Sequence, residues 1–548
     1  MEKRAILAAV LTAALLLLYQ LLFAPVPSPP PPVEAPVERK SPPAAEVPTP
    51  TPLPPRALSP APERVVEVET PGYRARVGSD GGKLLEWVLH YRGDKPMVVP
   101  GSQGSRGLSL SRPKSDPDPL VFAISRDRLA LGGDRPEGEL TLEAQDAFGI
   151  RVVQRLKFEA RDYRLDLQIR LENRHSVPQA IEVSLPWFTL QKWPEGEGEK
   201  FQGQRPTRVV RLATGGLERV EIGGVTDAAV EGQWIGLESE WYIAALIPRS
   251  PGFKLVTKKG IDGEVEVALK ATALTLAPGH SWEGRALVYV GPKEYDRLRG
   301  LGAGLEQTIN FGTFLYIPFL RIEWLAVPIL WLMNFFYSYA PNYGVAIILL
   351  TVITKILFYP LTLKSMASMK GMQAMQPQVN ALRAKYKSDS QRLQRETLEL
   401  YRKHKINPMG GCLPMVIQIP IFYALYLVFS LSVELQNAAF LCFGRLFGIE
   451  LWICDLAQQD PTYVLPILMG VSMFIQQKMT PTVGDPRQAK IMLLMPVVFT
   501  FMFLNLPSGL VLYWFVSNVL QILQQYYMDR RARPTKAAPK EIREGKRR

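Results

Sequence analysis

One lysine stands where a lysine is costly. Lys355 lies in Ile347-Ile-Leu-Leu-Thr-Val-Ile-Thr-Lys-Ile-Leu-Phe-Tyr-Pro360, inside an apolar run over 343–363. An ionised lysine midway along a membrane-spanning helix costs about 2.5–3.5 kcal/mol, and more against lipid. Snorkelling to the interface is the plain alternative. Lys364, where the run ends, is nine residues on, about 13 Å along a helix axis and beyond the reach of one lysine stem. Lys355 is therefore expected to face a wet cavity inside a helical bundle. Thr351 stands one turn earlier on the same face. Gln418, Gln476, Gln477, Ser517, Asn518, Gln521, Gln524 and Gln525 add uncharged polar groups on neighbouring apolar runs. Asn518, Gln521 and Gln525, at i, i+3 and i+7, form a stripe on the last run. Some such groups serve only to hold helices together. A cation in a polar but uncharged cleft suits transient binding of something polar or acidic.

Other chemistries have weaker support. A Ser–Lys hydrolase would use Lys355 as base for Ser517 and needs the lysine neutral and within hydrogen-bond reach. No Asp or Glu lies deep in a run, which argues against a proton relay or an ion-coupled transporter. No GxxxxGK[ST] loop is present, and Gly300-Leu-Gly-Ala-Gly304 does not fit a dinucleotide fingerprint. His90, His175 and His280 stand alone, so neither a metal site nor a cofactor is expected, and the chain reads as a non-enzyme. Cys412, Cys442 and Cys454 cannot build a disulfide framework. Cys442 and Cys454 fall on an oxidising side, paired or free.

The elements that must position these groups follow from segregated composition. Mean hydropathy over the 548 residues is only +0.02, an average over unlike parts. Lys3 and Arg4 precede an apolar stretch to Ala24, long enough to cross a hydrocarbon core, so 1–24 reads as an uncleaved signal anchor. Residues 25–62 hold 16 prolines, which excludes helix and central strand and predicts a semi-rigid polyproline spacer. Residues 63–300 alternate at period two, as in Arg64-Val-Val-Glu-Val-Glu69 and Tyr163-Arg-Leu-Asp-Leu-Gln-Ile-Arg170, between Gly, Pro and Asp turns. That pattern predicts a large antiparallel β-sandwich.

Beyond it lie apolar segments near 324–340, 343–363, 411–432, 463–477, 491–506 and 508–528. Residues 364–410 hold ten Lys/Arg and three acids, and the tail 529–548 nine and three; residues 433–460 carry one arginine and four acids. Positive charge stays inside. If 324–340 spanned, the ten-charge loop would fall on the wrong side. Hence 324–340, within a 301–342 interfacial amphipathic-helix region, is expected along the outer interface, with Trp324, Trp331, Tyr337 and Tyr339 at headgroup level. Five spans over 343–528 follow, six with the anchor, making a polytopic α-helical membrane bundle with both termini cytoplasmic. The net +13 is then first a topology signal, although it also suits an anionic lipid surface, nucleic acid or an acidic protein.

A cytoplasmic hairpin over 364–405 is expected as two polar helices, about Thr362–Tyr386 and Ser390–His404, with Asp389 or Ser390 capping the second. Met366, Met369, Met372 and Met375 recur every third residue, either as a packing face or as a surface for varied apolar partners. The runs 463–477 and 491–506 are short for a span, which predicts a thinned bilayer beside them.

These segments resemble a known family. Asn342-Tyr-Gly-Val-Ala-Ile, Phe358-Tyr-Pro-Leu-Thr362, Asn407-Pro-Met-Gly-Gly-Cys-Leu-Pro414, Gln418-Ile-Pro-Ile-Phe422, Leu465-Pro-Ile-Leu-Met-Gly470 and Leu506-Pro-Ser-Gly-Leu-Val-Leu-Tyr513 are similar, in order, to the YidC membrane protein insertases. The anchor, the linker, Gly236-Leu-Glu-Ser-Glu-Trp-Tyr-Ile-Ala-Ala-Leu-Ile-Pro248 and Tyr289-Val-Gly-Pro-Lys-Glu-Tyr295 resemble the Gram-negative form with its large periplasmic domain. The resemblance implies a chaperone-like insertase of the bacterial inner membrane that takes nascent membrane proteins, alone or beside the Sec translocon. It also implies a role for the 364–405 hairpin, and ribosome contact through the basic tail. Lys355 takes the place of the family's groove arginine, keeping charge without the planar fork. Thr351, Tyr513 and Trp514 fall where the family's groove and substrate contacts lie, with Trp514 in place of a tyrosine.

Overall fold

The computed structural model describes residues 64–532 apart from 99–106, 113–119, 190–205, 261–264, 310, 313–320, 388, 408–412, 447–448 and 480–485. The anchor at 1–24, the proline spacer at 25–62 and tail residues 533–548 lie outside the described residues.

Alternation translates directly into sheet. Arg164–Asn173 buries every second side chain, and Leu165, Leu167, Ile169 and Leu171 enter the core. This strand pairs antiparallel with Ser281–Pro292 and with Ile150–Glu159 near the middle of a nine-stranded sheet. Within that sheet, Gly232–Glu238 and Tyr242–Pro248 pack on Phe253–Lys259 and Val265–Leu276 of a five-stranded sheet. A second five-stranded sheet departs from the all-antiparallel expectation: Val65–Glu69 pairs parallel with Arg128–Ala130. Two short strands joined through a longer excursion can add to an edge in either direction, and period-two patterning is blind to the choice.

The chain leaves the sheets through a short helix, α1 (Tyr295–Gly300), and enters α2 (Glu323–Tyr339). Ala326, Ile329, Leu330 and Met333 are buried on one side of α2, while Trp324, Trp331, Phe335 and Tyr339 are exposed on the other. Tyr337, expected with the exposed aromatics, instead stacks on Tyr343 at 4.0 Å, because α2 folds back onto the next helix. That helix, α3 (Tyr343–Ala374), starts at Asn342, whose side chain accepts from the Val345 N–H. It runs unbroken through Pro360. The C-terminal end of the apolar run and the start of the polar hairpin are thus one helix, divided at Met375 rather than near Thr362. After it come α4 (Gln376–Lys385) and α5 (Ser390–Lys403), the latter capped by Asp389 accepting from the Arg392 N–H.

The remaining helices are α6 (Leu413–Leu431), α7 (Val464–Met479), α8 (Pro486–Phe503) and α9 (Ser508–Ala532). Among the described residues, α3 is the helix long and apolar enough to cross a membrane by length and composition; Val416–Leu431, Val464–Met479 and Leu493–Phe503 are shorter apolar stretches. Outward-facing Val416, Ile419, Ile467, Val471, Leu494, Val498 and Phe501 are exposed, an apolar surface that lipid covers at no cost and water does not. Gly470 lets α7 and α8 approach closely, since a Cβ there would meet the Thr500 hydroxyl at 2.0 Å. Between α6 and α7, Leu441–Leu446 and Ile449–Ile453 form a hairpin whose neighbourhood is stapled by a Cys442–Cys454 disulfide.

The β-domain and the bundle meet at a polar joint. Arg92, in a turn with φ 50°, donates to the backbone carbonyls of Glu434 and Gln436, the latter at 2.8 Å. Its guanidinium also lies 5.6 and 5.3 Å from the ring centroids of Tyr91 and Tyr343. The Tyr242 hydroxyl donates to Gln436 Oε1 at 2.7 Å. Glu434 is buried within this joint. Burial pushes its carboxyl up to about 8, with the nearby Glu294 charge adding to the rise and Arg92 opposing it.

Candidate functional site: a hydrophilic cavity in the bundle

Helices α3, α6, α7 and α9 enclose a cavity of about 750 Å³ that continues toward the hairpin end of α3. The α3 wall presents Thr354, Lys355, Phe358, Thr362 and Ser365. Its threonines would cost free energy in an apolar wall unless their hydroxyls found acceptors. Thr354 and Thr362 donate to the carbonyls of Thr351 and Phe358, at 2.8 and 3.0 Å. The Lys355 ammonium reaches across to α9 and donates to Gln521 Oε1 at 3.1 Å. It has no carboxylate partner among the described residues. A neutral amide satisfies one of three ammonium protons and none of the charge, so the remaining field points into the cavity.

Seven of the eight expected groove residues line this space: Lys355, Gln418, Tyr513, Trp514, Ser517, Asn518 and Gln521. The Gln418 amide donates to the Tyr513 hydroxyl at 3.0 Å, fixing α6 against α9. Asn518 donates to Ser472 Oγ on α7 at 3.1 Å, and Gln525 to the Met479 carbonyl at 2.5 Å, so part of the α9 stripe does hold helices together. Trp514 packs edge-on against Phe422 and Phe503 and closes one side. Thr351 is the exception. It is fully buried and bonds the Ile347 carbonyl at 2.6 Å, one turn too far from the mouth to reach the cavity.

Sequence reading missed Thr354, Thr362, Ser365 and Met473, all of which line the cavity. For the α3 members the spacing from Lys355 was available: Phe358, Thr362, Ser365 and Met369 continue one helical face past the point where the span was expected to end, whereas Met473 lies on α7. Of the methionine stripe, Met366 and Met369 line the cavity mouth while Met372 and Met375 do not; all four are half-buried. A Ser–Lys pair is not formed, because the lysine bonds Gln521 rather than Ser517.

A β-rich domain joined to a helical bundle with an apolar exterior and a polar, cationic interior cavity defines a class: a helical membrane protein with a polar interior. Comparison with known proteins is specific about which. Residues 335–536 match the family described as 60Kd inner membrane protein, and residues 65–332 match the YidC periplasmic domain. The chain is 37% identical to the membrane protein insertase YidC of Syntrophus aciditrophicus, over 97% of this chain and all of that one. It is 39% identical to the protein of the same name from Geobacter sulfurreducens, over 97% and 98%. The crystal structure titled an active YidC insertase with the first transmembrane domain resolved matches at 18% identity and a TM-score of 0.38, over 85% of this chain and 95% of that one. The chain belongs to the YidC membrane protein insertase family.

Proposed function

We propose that the protein inserts nascent membrane proteins through the bundle cavity, without catalysis and without a nucleotide. The observation that carries this reading is the Lys355 ammonium, held by one amide oxygen at 3.1 Å on the wall of a cavity of about 750 Å³. Acidic or polar parts of an incoming segment are drawn toward that charge and hydrated by the threonine, serine, asparagine and glutamine walls. The apolar part then leaves sideways, because transfer of about 20 apolar residues into lipid is favourable by itself. In this reading the β-domain is periplasmic, the hairpin α4–α5 and both termini are cytoplasmic, and the protein is a multi-pass component of the inner membrane. Met366, Met369, Met372 and Met375 give the hairpin end an adaptable apolar surface for the emerging chain. The basic cytoplasmic segments face the ribosome and anionic lipids, and the insertase works alone or with the Sec translocon.

The test is photocrosslinking from positions 354 and 521 to a stalled nascent membrane protein, in membranes with ribosomes bound. Crosslinks from both positions, and none from outward-facing Ile467, support the reading. Equal yields from all three would remove the cavity from the pathway.

A further inference from the structure

The exit from the β-domain carries a second site, formed by α1 and α2 rather than by the helices that line the bundle cavity. A cavity of about 310 Å³ lies between α1 and α2. One wall is charged: Asp296 and Arg299, one turn apart on α1. The other is apolar: Val327, Pro328, Leu330 and Trp331 on α2. Trp331 belongs to both this cavity and the exposed aromatic stripe of α2, where it stacks on Phe335 at 5.7 Å and Phe335 meets Tyr339 at 5.1 Å. Tryptophan and tyrosine in such a stripe sit at the depth of lipid headgroups.

The charges around this cavity divide into committed and available. Arg297 is committed to Glu294 at 2.7 Å and Asp162 at 3.0 Å, and Glu323 to Arg321 at 2.6 Å. Asp296 and Arg299 form no ion pair, with each other or with any other described residue. An acid and a base held apart over an apolar trough are complementary to a molecule with a phosphate, a separate ammonium and an acyl chain.

We infer that the Asp296–Arg299 face of α1 and the Trp331 side of α2 form a binding site for a zwitterionic aminophospholipid, phosphatidylethanolamine, in the outer leaflet. Arg299 takes the phosphate, where a planar guanidinium can donate twice. Asp296 accepts from the primary ammonium, and one acyl chain lies over Val327, Pro328 and Leu330 against the Trp331 ring. A lipid with phosphate but no cation leaves Asp296 unanswered, and a quaternary headgroup offers it no N–H. The site depends on neither Lys355 nor any substrate.

Native mass spectrometry of the full chain, released from micelles holding equal amounts of phosphatidylethanolamine, phosphatidylglycerol and phosphatidylcholine, tests this. The unmodified protein should retain phosphatidylethanolamine about tenfold over either competitor, the scale of one charge-assisted hydrogen bond. Arg299→Glu should lose that retention and Arg299→Lys should keep most of it, which separates loss of charge from loss of fold. Asp296→Asn should erase the preference over phosphatidylglycerol while leaving total bound lipid unchanged. Equal retention of the three lipids by the unmodified protein, or undiminished preference in Arg299→Glu, would overturn the proposal.

Discussion

Two cations, Lys355 in the bundle and Arg92 at the joint, occupy comparably enclosed surroundings and are used in opposite ways. Arg92 is consumed: two backbone carbonyls accept from it and two tyrosine rings flank it. Lys355 has one amide oxygen and an open cavity. A charge bonded to two backbone carbonyls and flanked by two rings holds a structure together. A charge answered once remains available to whatever enters. Partner count, rather than burial, separates the anchoring cation from the receiving one.

Reversing the receiving charge should have the largest effect. Lys355→Glu replaces attraction for acidic segments by repulsion in a poorly screened site, a change of several kcal/mol. Insertion of a nascent chain with an acidic outer segment, read by protease protection in proteoliposomes, should fall on the order of a hundredfold. A substrate with a basic segment should suffer much less. Equal losses for both substrates would mean that Lys355 supports the bundle rather than receives the chain, and the contrast with Arg92 would collapse.

Breaking the anchoring charge should act on the joint first. Arg92→Ala leaves the Glu434 and Gln436 carbonyls and the ring pair without their cation, a cost of about 3 kcal/mol from charged hydrogen bonds and cation–π contact. Amide exchange over 433–436 should quicken by about a hundredfold while crosslinking from position 354 persists. Unchanged exchange would show that Tyr242 and Gln436 hold the joint without the arginine.

Glu434 sharpens the same point with pH. Its folded carboxyl is raised to about 8, above the ordinary 4.5, by burial and by Glu294 against the opposing Arg92. The folded state therefore binds the proton more tightly than the unfolded one. Stability from this group is complete below about 4.5 and is lost as pH rises through about 8. Exchange over 433–436 should accelerate across that window, and Glu434→Gln should flatten the profile while changing little below about 4.5. A flat profile in the unmodified protein would place Glu434 in contact with water.

These contrasts also explain what the sequence made legible. Lys355 was visible because one charge interrupts a run of Ile, Leu, Val and Phe, and an exception to a local pattern needs no knowledge of the fold. Gln418, Ser517, Asn518 and Gln521 followed by the same logic, since polar side chains in apolar helices converge on whatever keeps them wet, whereas Tyr513 and Trp514 came only from the family resemblance. Thr351 failed because sharing a face does not specify depth along it. Arg92 was invisible. It is one of 64 basic residues, in an ordinary Tyr-Arg-Gly-Asp turn, and its acceptors are 342 and 344 residues away. Glu434 entered only as negative charge outside the membrane, with nothing local to indicate burial. Strands were legible through alternation, but their order was not, because Arg164–Asn173 finds Ser281–Pro292 across more than a hundred residues. The end of α3 was misplaced because a membrane boundary changes which side chains a helix carries, not whether its backbone bonds continue.

The smallest expected effect is the most discriminating. Lys355→Arg preserves charge and adds a planar fork that binds a carboxylate bidentately. If the cavity works by long-range attraction and hydration, insertion should change by no more than about threefold, a difference near 0.7 kcal/mol. A hydrolytic base could not survive the exchange, since arginine does not deprotonate. A role fixed by the Gln521 bond would also suffer, because a guanidinium cannot occupy the same 3.1 Å geometry without displacing the α9 wall. Testing Gln521→Leu beside Lys355→Arg separates these cases. Under the receiving-charge reading, Gln521→Leu removes the lysine's single acceptor and leaves the ammonium freer to bind, so acidic substrates should crosslink at position 354 at least as strongly as before. A parallel loss in both variants would show that Lys355, like Arg92, is held in place to hold something else.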